Sequence, residues 1–270
     1  MTTLIFDCDG VLADTERYGH LPAFNQTFAE FGLPVQWSES DYAVKLRIGG
    51  GKERMASLLT EDFLERAQLP RDKEQLAEHV AKWHRRKTQL YTERVAAGEL
   101  PPRPGIRRLI SDGLAAGWQL AVASTSAQQA VEAVLRVAAG PQQAQRFSGV
   151  FAGDIVPRKK PAPDIYQLAL SKLGADPART IVIEDSRNGL QAAVAAGLSC
   201  VVTVNGYTEH ECFDEARLVL SDLGESGAPL QVLANRSRAQ PKGELGLDDL
   251  LACLPEVSTS GAGLRQAGGR

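Results

Sequence analysis

Four short apolar runs recur along the chain, at residues 2–7 (TTLIFD), 120–125 (LAVAST), 180–185 (TIVIED) and 199–204 (SCVVTV). Continuous, β-branched runs of this length predict strands buried on both faces. Between them the hydrophobic period changes. Ile106, Leu109, Ile110 and Leu114 follow the i, i+3, i+4, i+8 stripe of an amphipathic helix behind Pro104-Gly105, and Pro163-Asp164 predicts a helix that ends near Gly174. Buried strands alternating with helices predict an α/β fold with a Rossmann-like doubly wound parallel sheet, because parallel neighbours need helical crossovers.

Residues 16–100 break that rhythm. They carry Trp37 and Trp83, helical stretches such as 75–95, and no convincing buried strand. They read as a helical cap domain inserted after the first strand, with the α/β core formed by 1–15 and 101–226. Pro101-Pro102-Arg103-Pro104-Gly105 reads as the return hinge, since proline stops a helix and stiffens a connection. Residues 227–270 read as a C-terminal extension, richer in glycine, serine and charge, with a short helix over 247–254 and a mobile tail over 256–270.

A chain of 270 residues allows one large domain or two modest ones, and 43% hydrophobic with 23% charged residues is ordinary for a globular fold. Thirty basic against 33 acidic side chains give a net charge of −3, which predicts no general affinity for nucleic acid. No apolar run reaches bilayer length, so no membrane partner is expected. Cys8, Cys200, Cys212 and Cys253 form neither CxxC spacing nor a paired framework and read as reduced thiols that pack as small hydrophobes. The chain enters its first strand almost at Met1, which leaves no room for a signal or transit peptide.

The candidate chemistry lies at the strand ends. Asp7-x-Asp9-Gly10 closes the first run, where ligands of open α/β sheets bind, with an Asx turn at Asp9 into the following helix as the lesser alternative. Ser124-Thr125-Ser126 closes the second, where hydroxyls can hold phosphate oxygens or cap a helix. Lys160 precedes a helix start, where an ammonium meets the wrong end of the dipole unless an anion stands between; a solvated loop is the plain alternative. Glu184-Asp185-Ser186 closes another run with adjacent carboxylates, which repel unless a cation joins them. Gly49-Gly50-Gly51-Lys52 lacks P-loop spacing and has Glu53 where a hydroxyl belongs, which excludes that nucleotide site. His84 and His210 show no metal-ligand spacing. Cys8 lies between the aspartates, and strand alternation points it away from them.

The order DxDGV, Ser, Lys-Pro and Glu-Asp-Ser, with Gly189 shortly after, resembles the haloacid dehalogenase-like hydrolase superfamily over residues 1 to about 205. The insertion resembles the subclass with a small helical cap, which includes β-phosphoglucomutases and CbbY-like sugar phosphatases. Ala13-Asp14-Thr15-Glu16, Ala23-Phe24-Asn25-Gln26-Thr27-Phe28, Gly50-Gly51-Lys52-Glu53-Arg54 and Lys159-Lys160-Pro161-Ala162-Pro163-Asp164-Ile165-Tyr166 are similar to the CbbY-like group of plants and algae. That group hydrolyses xylulose 1,5-bisphosphate, an inhibitor of Rubisco.

The resemblance implies Asp7 as nucleophile, forming an aspartyl-phosphate, and Asp9 as general acid and base. It implies Mg2+ held by Asp7, the Asp9 carbonyl and Asp185, with Glu184 bound directly or through water. Ser124 and Lys160 would hold the transferring phosphoryl group. In the cap, Lys52 would grip the second phosphate, Lys87 would face the site, and Arg54 would assist either. Glu16 would bind sugar hydroxyls and Ser126 the distal phosphate. Each cap lysine otherwise reads as an exposed helical charge. Related mutases carry a histidine five residues after the position of Asp14, but His20 comes six after it. One residue is therefore inserted around Gly19, and His20 is expected to have a packing or surface role.

The implied partner is a small sugar bisphosphate, a monomer is compatible, and the implied compartment is the chloroplast stroma, with a bacterial cytoplasm as alternative. Two rivals stay open: a mutase using the same residues, and a non-catalytic phosphate-sensing protein. Unneutralised acids that would only destabilise a binding module weigh against the second.

Overall fold

The computed structural model describes residues 1–256. Its centre is a seven-stranded sheet built on β1 (Thr3–Phe6), which pairs in parallel with β2 (Gln119–Ser124) on one side and β4 (Thr180–Glu184) on the other. Beyond β2 lies β3 (Gly149–Ala152); beyond β4 lie β5 (Ser199–Thr203), β6 (Leu218–Leu220) and β7 (Val232–Asn235). Only β7 runs antiparallel to its neighbour. The order β3-β2-β1-β4-β5-β6-β7 reverses direction at β1, so β1 delivers its C-terminal residues to the switch point.

Side chains alternate across this sheet. Leu4, Phe6, Leu120, Val122 and Ile183 bury one face against α6 (Ile106–Ala115) and α7 (Gln128–Ala139), the latter followed by the single turn α8 (Pro141–Ala144). Ile5, Ala121, Val182 and Cys200 bury the other against α9 (Asp164–Leu173) and α10 (Arg187–Ala195). Strands covered on both faces have no polar alternation, which is why their sequences are continuously apolar.

Between β1 and β2 the chain makes α1 (Leu21–Glu30), α2 (Glu39–Lys45), α3 (Gly51–Ala56), α4 (Glu61–Arg66) and α5 (Lys73–Ala96). They enclose their own aromatic cluster, with Phe28 edge-on to Trp37 at 4.8 Å and Trp83 fully buried. Local signals fix the ends. Ser38 forms a capping box with Asp41, and the Asp72 carboxylate accepts from Gln75 N. The second half of α5 leaves this cluster, and Leu90, Tyr91 and Val95 join the sheet-facing core. One long helix thus ties the inserted helices to the sheet.

Three strands were not expected from the pattern. β3, β6 and β7 have four, three and four residues, and β7 leaves Val232 and Leu233 exposed at the sheet edge. Residues 227–254 are also less separate than a composition shift suggests. Leu230, Leu245, Leu250 and Cys253 are buried in the sheet-facing core, the last two on or next to α11 (Leu247–Ala252). The tail read as mobile lies outside the described residues except for Glu256.

Candidate active site

Both aspartates of the first motif emerge where β1 ends, and the turn between them and the inserted helices is unusually tight. Gly10 takes φ +80, and a Cβ there would stand 2.0 Å from the Asp185 carboxylate. Only glycine lets the loop after β1 close on the loop after β4. Cys8 is buried and, by burial first and the neighbouring aspartates second, held as a thiol.

Lys160 reaches in from the loop before α9. Its ammonium donates to Asp7 Oδ1 at 2.7 Å, Glu184 Oε1 at 2.6 Å and the Ala123 carbonyl at 2.9 Å. All three N–H bonds are thereby used. Burial would lower its pKa, but Asp7 and Glu184 outweigh burial and hold it charged. Burial pushes the Asp7 carboxyl up; Glu184 and Asp9 add to that and Lys160 opposes it. Asp185 is pushed well up by burial, then by Glu184 and Asp7. Asn205, just after β5, donates to Asp185 Oδ2 at 2.7 Å.

Asp7, Glu184 and Asp185 offer carboxylate oxygens that all lie within 4.8 Å of one another. One lysine among three buried carboxylates leaves negative charge uncompensated, and an all-oxygen donor set suits a hard divalent cation. The cluster therefore fits Mg2+. The Asp9 side chain is not part of it, which leaves its carbonyl as the only group it can offer a cation there.

Instead, the Asp9 carboxylate accepts from four donors: Thr15 Oγ1 at 2.7 Å, His20 Nε2 at 2.8 Å, the Ser126 hydroxyl and, at 3.5 Å, the Tyr91 hydroxyl. Burial alone would raise its pKa, but His20, Ser126 and Thr15 together keep it well below the usual carboxylate range. His20 is buried, and its Nδ1 lies 2.5 Å from Lys87 Nζ. A charged Lys87 donates to Nδ1, so the Nε2 proton faces Asp9. Burial pulls Lys87 down to about 7, against the raising effect of Asp9 and Glu16.

His20 is packed as expected, its ring stacked on Tyr91 with centroids 4.0 Å apart, but it is not at the surface and it also meets Asp9, which the residue count did not anticipate. The turn Glu16–His20 is π-helical, and its wider i→i+5 spacing leaves the histidine against Asp9. Gly19 permits it: a Cβ there would meet Tyr91 at 2.7 Å and Leu100 at 2.8 Å.

A cavity of about 320 Å³ opens over these groups, lined by Asp7, Asp9, Ser124 and Asp185 with Glu16 and Arg54 opposite. Ser124 is buried, and its hydroxyl accepts from Ser126 N at 3.1 Å. Glu16 accepts from the Tyr42 hydroxyl and stands 3.6 Å from Arg54, which itself donates to Tyr42 at 3.0 Å. Two expected substrate contacts are differently engaged. Ser126 donates to Asp9, and Lys52 is paired with Asp154 at the edge of the core, outside the cavity lining. Lys87 faces the site only through His20. Thr15, Tyr166 and Asn205 also touch these groups without a role read from the sequence: the first two stand inside the segments that carry the family resemblance, and Asn205 is a polar residue after an apolar run, too common to single out.

The haloacid dehalogenase-like hydrolase family profile matches residues 1–197. The chain belongs to that family. It is 44% identical over 225 residues to a CBBY-like protein of Arabidopsis thaliana, covering 83% of this chain and 70% of that protein. It is 42% identical over 224 residues to the protein CbbY of Cereibacter sphaeroides, covering 83% and 93%. Among solved structures, CbbY from Rhodobacter sphaeroides in complex with phosphate superposes with a TM-score of 0.75 at 41% identity, covering 84% of this chain and 97% of that one. A mutant of that protein in complex with xylulose-(1,5)bisphosphate gives 0.74 at 40%, covering 82% and 95%. A β-phosphoglucomutase from Clostridium difficile, 22% identical with a TM-score of 0.62, shares the fold. As a member of this hydrolase family the chain is an enzyme, and among the described residues no helix is long and apolar enough to cross a membrane.

Proposed function

We propose that this chain is a Mg2+-dependent sugar-phosphate phosphatase that hydrolyses xylulose 1,5-bisphosphate to xylulose 5-phosphate and phosphate. The observation that carries the reading is the division of labour between the two aspartates. Asp7 is tied to Lys160 beside the acidic cluster, while Asp9 faces away from it toward His20, Ser126 and Thr15. One carboxylate is placed to attack phosphorus and the other to move protons. The ligand in the mutant CbbY structure supports the choice of substrate.

Asp7 attacks phosphorus, the bond to the sugar oxygen breaks, and Asp9 gives that oxygen a proton. Water then attacks the aspartyl-phosphate, Asp9 takes its proton, and the bond to Asp7 breaks. Because Asp9 starts as an anion, it must first acquire the proton it delivers. The His20 Nε2–H is placed to supply it as Lys87 passes an ammonium proton to Nδ1, which leaves the imidazole and the lysine both neutral. Lys160 and Ser124 hold the phosphoryl oxygens, and Lys160 does so by exchanging one of its three present acceptors. Asp7, the Asp9 carbonyl, Asp185 and Glu184 would hold Mg2+, which supplies positive charge where an anionic nucleophile meets an anionic phosphate. Glu16 and Arg54 face the sugar. Lys52 would reach the distal phosphate by releasing Asp154. The same reading places the enzyme in the chloroplast stroma, with a bacterial cytoplasm as the alternative.

The test incubates the protein and Mg2+ with xylulose 1,5-bisphosphate, ribulose 1,5-bisphosphate and β-glucose 1-phosphate, following free phosphate and sugar isomers together. Selective phosphate release from xylulose 1,5-bisphosphate is expected. Isomerisation of glucose phosphate without release would replace the phosphatase by a mutase.

A further inference from the structure

Glu184 ends β4 with almost no exposure, and its carboxylate is nearly saturated. Oε1 accepts from Lys160 at 2.6 Å and from the Tyr166 hydroxyl at 2.5 Å; Oε2 accepts from Asp185 N at 3.1 Å. A carboxylate has about four lone-pair sites, so one remains, on Oε2. Tyr166 is the third residue of α9, six positions after Lys160, and is fully buried. Its ring also carries the Lys160 ammonium at 4.8 Å from the centroid. No described residue other than Glu184 hydrogen-bonds its hydroxyl.

We infer that Tyr166 is a positioning residue for the cation site: with Lys160 it occupies Glu184 Oε1, so that Glu184 presents a single oxygen, Oε2, toward Asp7 and Asp185. The inference rests on the Mg2+ site proposed above. The physical reason lies in rotation. Without the hydroxyl, Oε1 keeps one donor and regains a free site, and the carboxylate can turn about its terminal torsion, which is broad for glutamate. A hydroxyl in a buried pocket leaves no water to take its place. Groups that orient a metal-binding carboxylate in this way change affinity when removed, although they never touch the ion.

The experiment titrates the whole protein with Mn2+ and reads free ion by electron paramagnetic resonance, with no substrate present. Tyr166→Phe, which keeps the ring, is expected to weaken Mn2+ binding by about ten- to a hundredfold and to regain kcat at high Mg2+. In a Glu184→Gln background the same change should have no further effect. Unchanged affinity in Tyr166→Phe, or a full additional loss in the Glu184→Gln background, overturns the inference. So does a Tyr166→Phe protein that fails to fold by circular dichroism, because the hydroxyl would then serve the fold and not the site. Wild-type protein that binds no Mn2+ refutes the metal site itself, a separate result from an insensitive Tyr166→Phe.

Discussion

His20 Nε2 donates to Asp9 Oδ1 at 2.8 Å from the end of the π-helical turn Glu16–His20. The contact makes His20 part of the proton inventory of the site. Replacing His20 with Ala should lower kcat by about 10²-fold or more with a smaller change in KM, since a proton-transfer contribution is felt in the transition state. Steady-state kinetics on a sugar bisphosphate measure it. An unchanged kcat would return the histidine to a packing role.

The turn itself should be sensitive to volume. Gly19→Val places a branched side chain against Tyr91 and Leu100, where a single Cβ already stands inside 3 Å. A cost of about 1–3 kcal/mol is expected from overpacking, read as a lower denaturation midpoint in urea with an unchanged slope.

Lys87 gives a pH signature. Burial lowers its pKa from 10.5 to about 7 in the folded protein. Between those values the unfolded chain holds a proton that the folded chain has lost, so the stability of the wild type rises with pH across that window. Below about pH 7 both states are charged and the cost of the buried ammonium is fully present. Lys87→Met removes the titration. The melting temperature of the wild type minus that of Lys87→Met should therefore climb from pH 6 to pH 9, and a flat difference would show that the ammonium is not desolvated.

The acidic cluster predicts opposite effects of one substitution in two buffers. With chelator present, Asp185→Asn should stabilise the fold by about 1–3 kcal/mol, because it removes one of three mutually repelling buried carboxylates, the one that Lys160 does not pair with. With millimolar Mg2+ the wild type should gain by mass action and the advantage should disappear. Thermal melts of both proteins in both buffers decide it. Asp7→Asn should likewise remain folded while releasing no phosphate, and turnover that survived it would remove the nucleophile from the mechanism.

At the rim, Lys52 and Lys159 pair with Asp154 of the core, and Lys159 also pairs with Glu53. Any phosphate that Lys52 takes must displace Asp154. Asp154→Ala should lower KM for a bisphosphate severalfold and leave KM for a monophosphate unchanged, compared at one ionic strength because exposed pairs are screened by salt.

Much of the site is legible in the sequence because its acids stand at the ends of apolar runs. In a parallel sheet all such ends point one way, so Asp7, Asp9, Ser124, Glu184 and Asp185 are brought together by strand order alone, while Lys160 reaches them from the loop before α9; the buried strands and the long helix α5 announce themselves by period and length. The short strands β3, β6 and β7 do not, and their place comes from pairing with a sheet already formed. Nor does any linear pattern tell which polar group meets which. Lys52 and Lys87 look alike as helical lysines, yet one pairs with a core carboxylate at the rim while the other is buried against His20. His20 itself is out of register by counting, yet it meets Asp9 in the folded chain. Residue types and strand ends are local properties and are written in the sequence. The partner each side chain finds depends on elements up to 177 residues apart, such as Thr2 and Arg179, and only the folded packing fixes those distances.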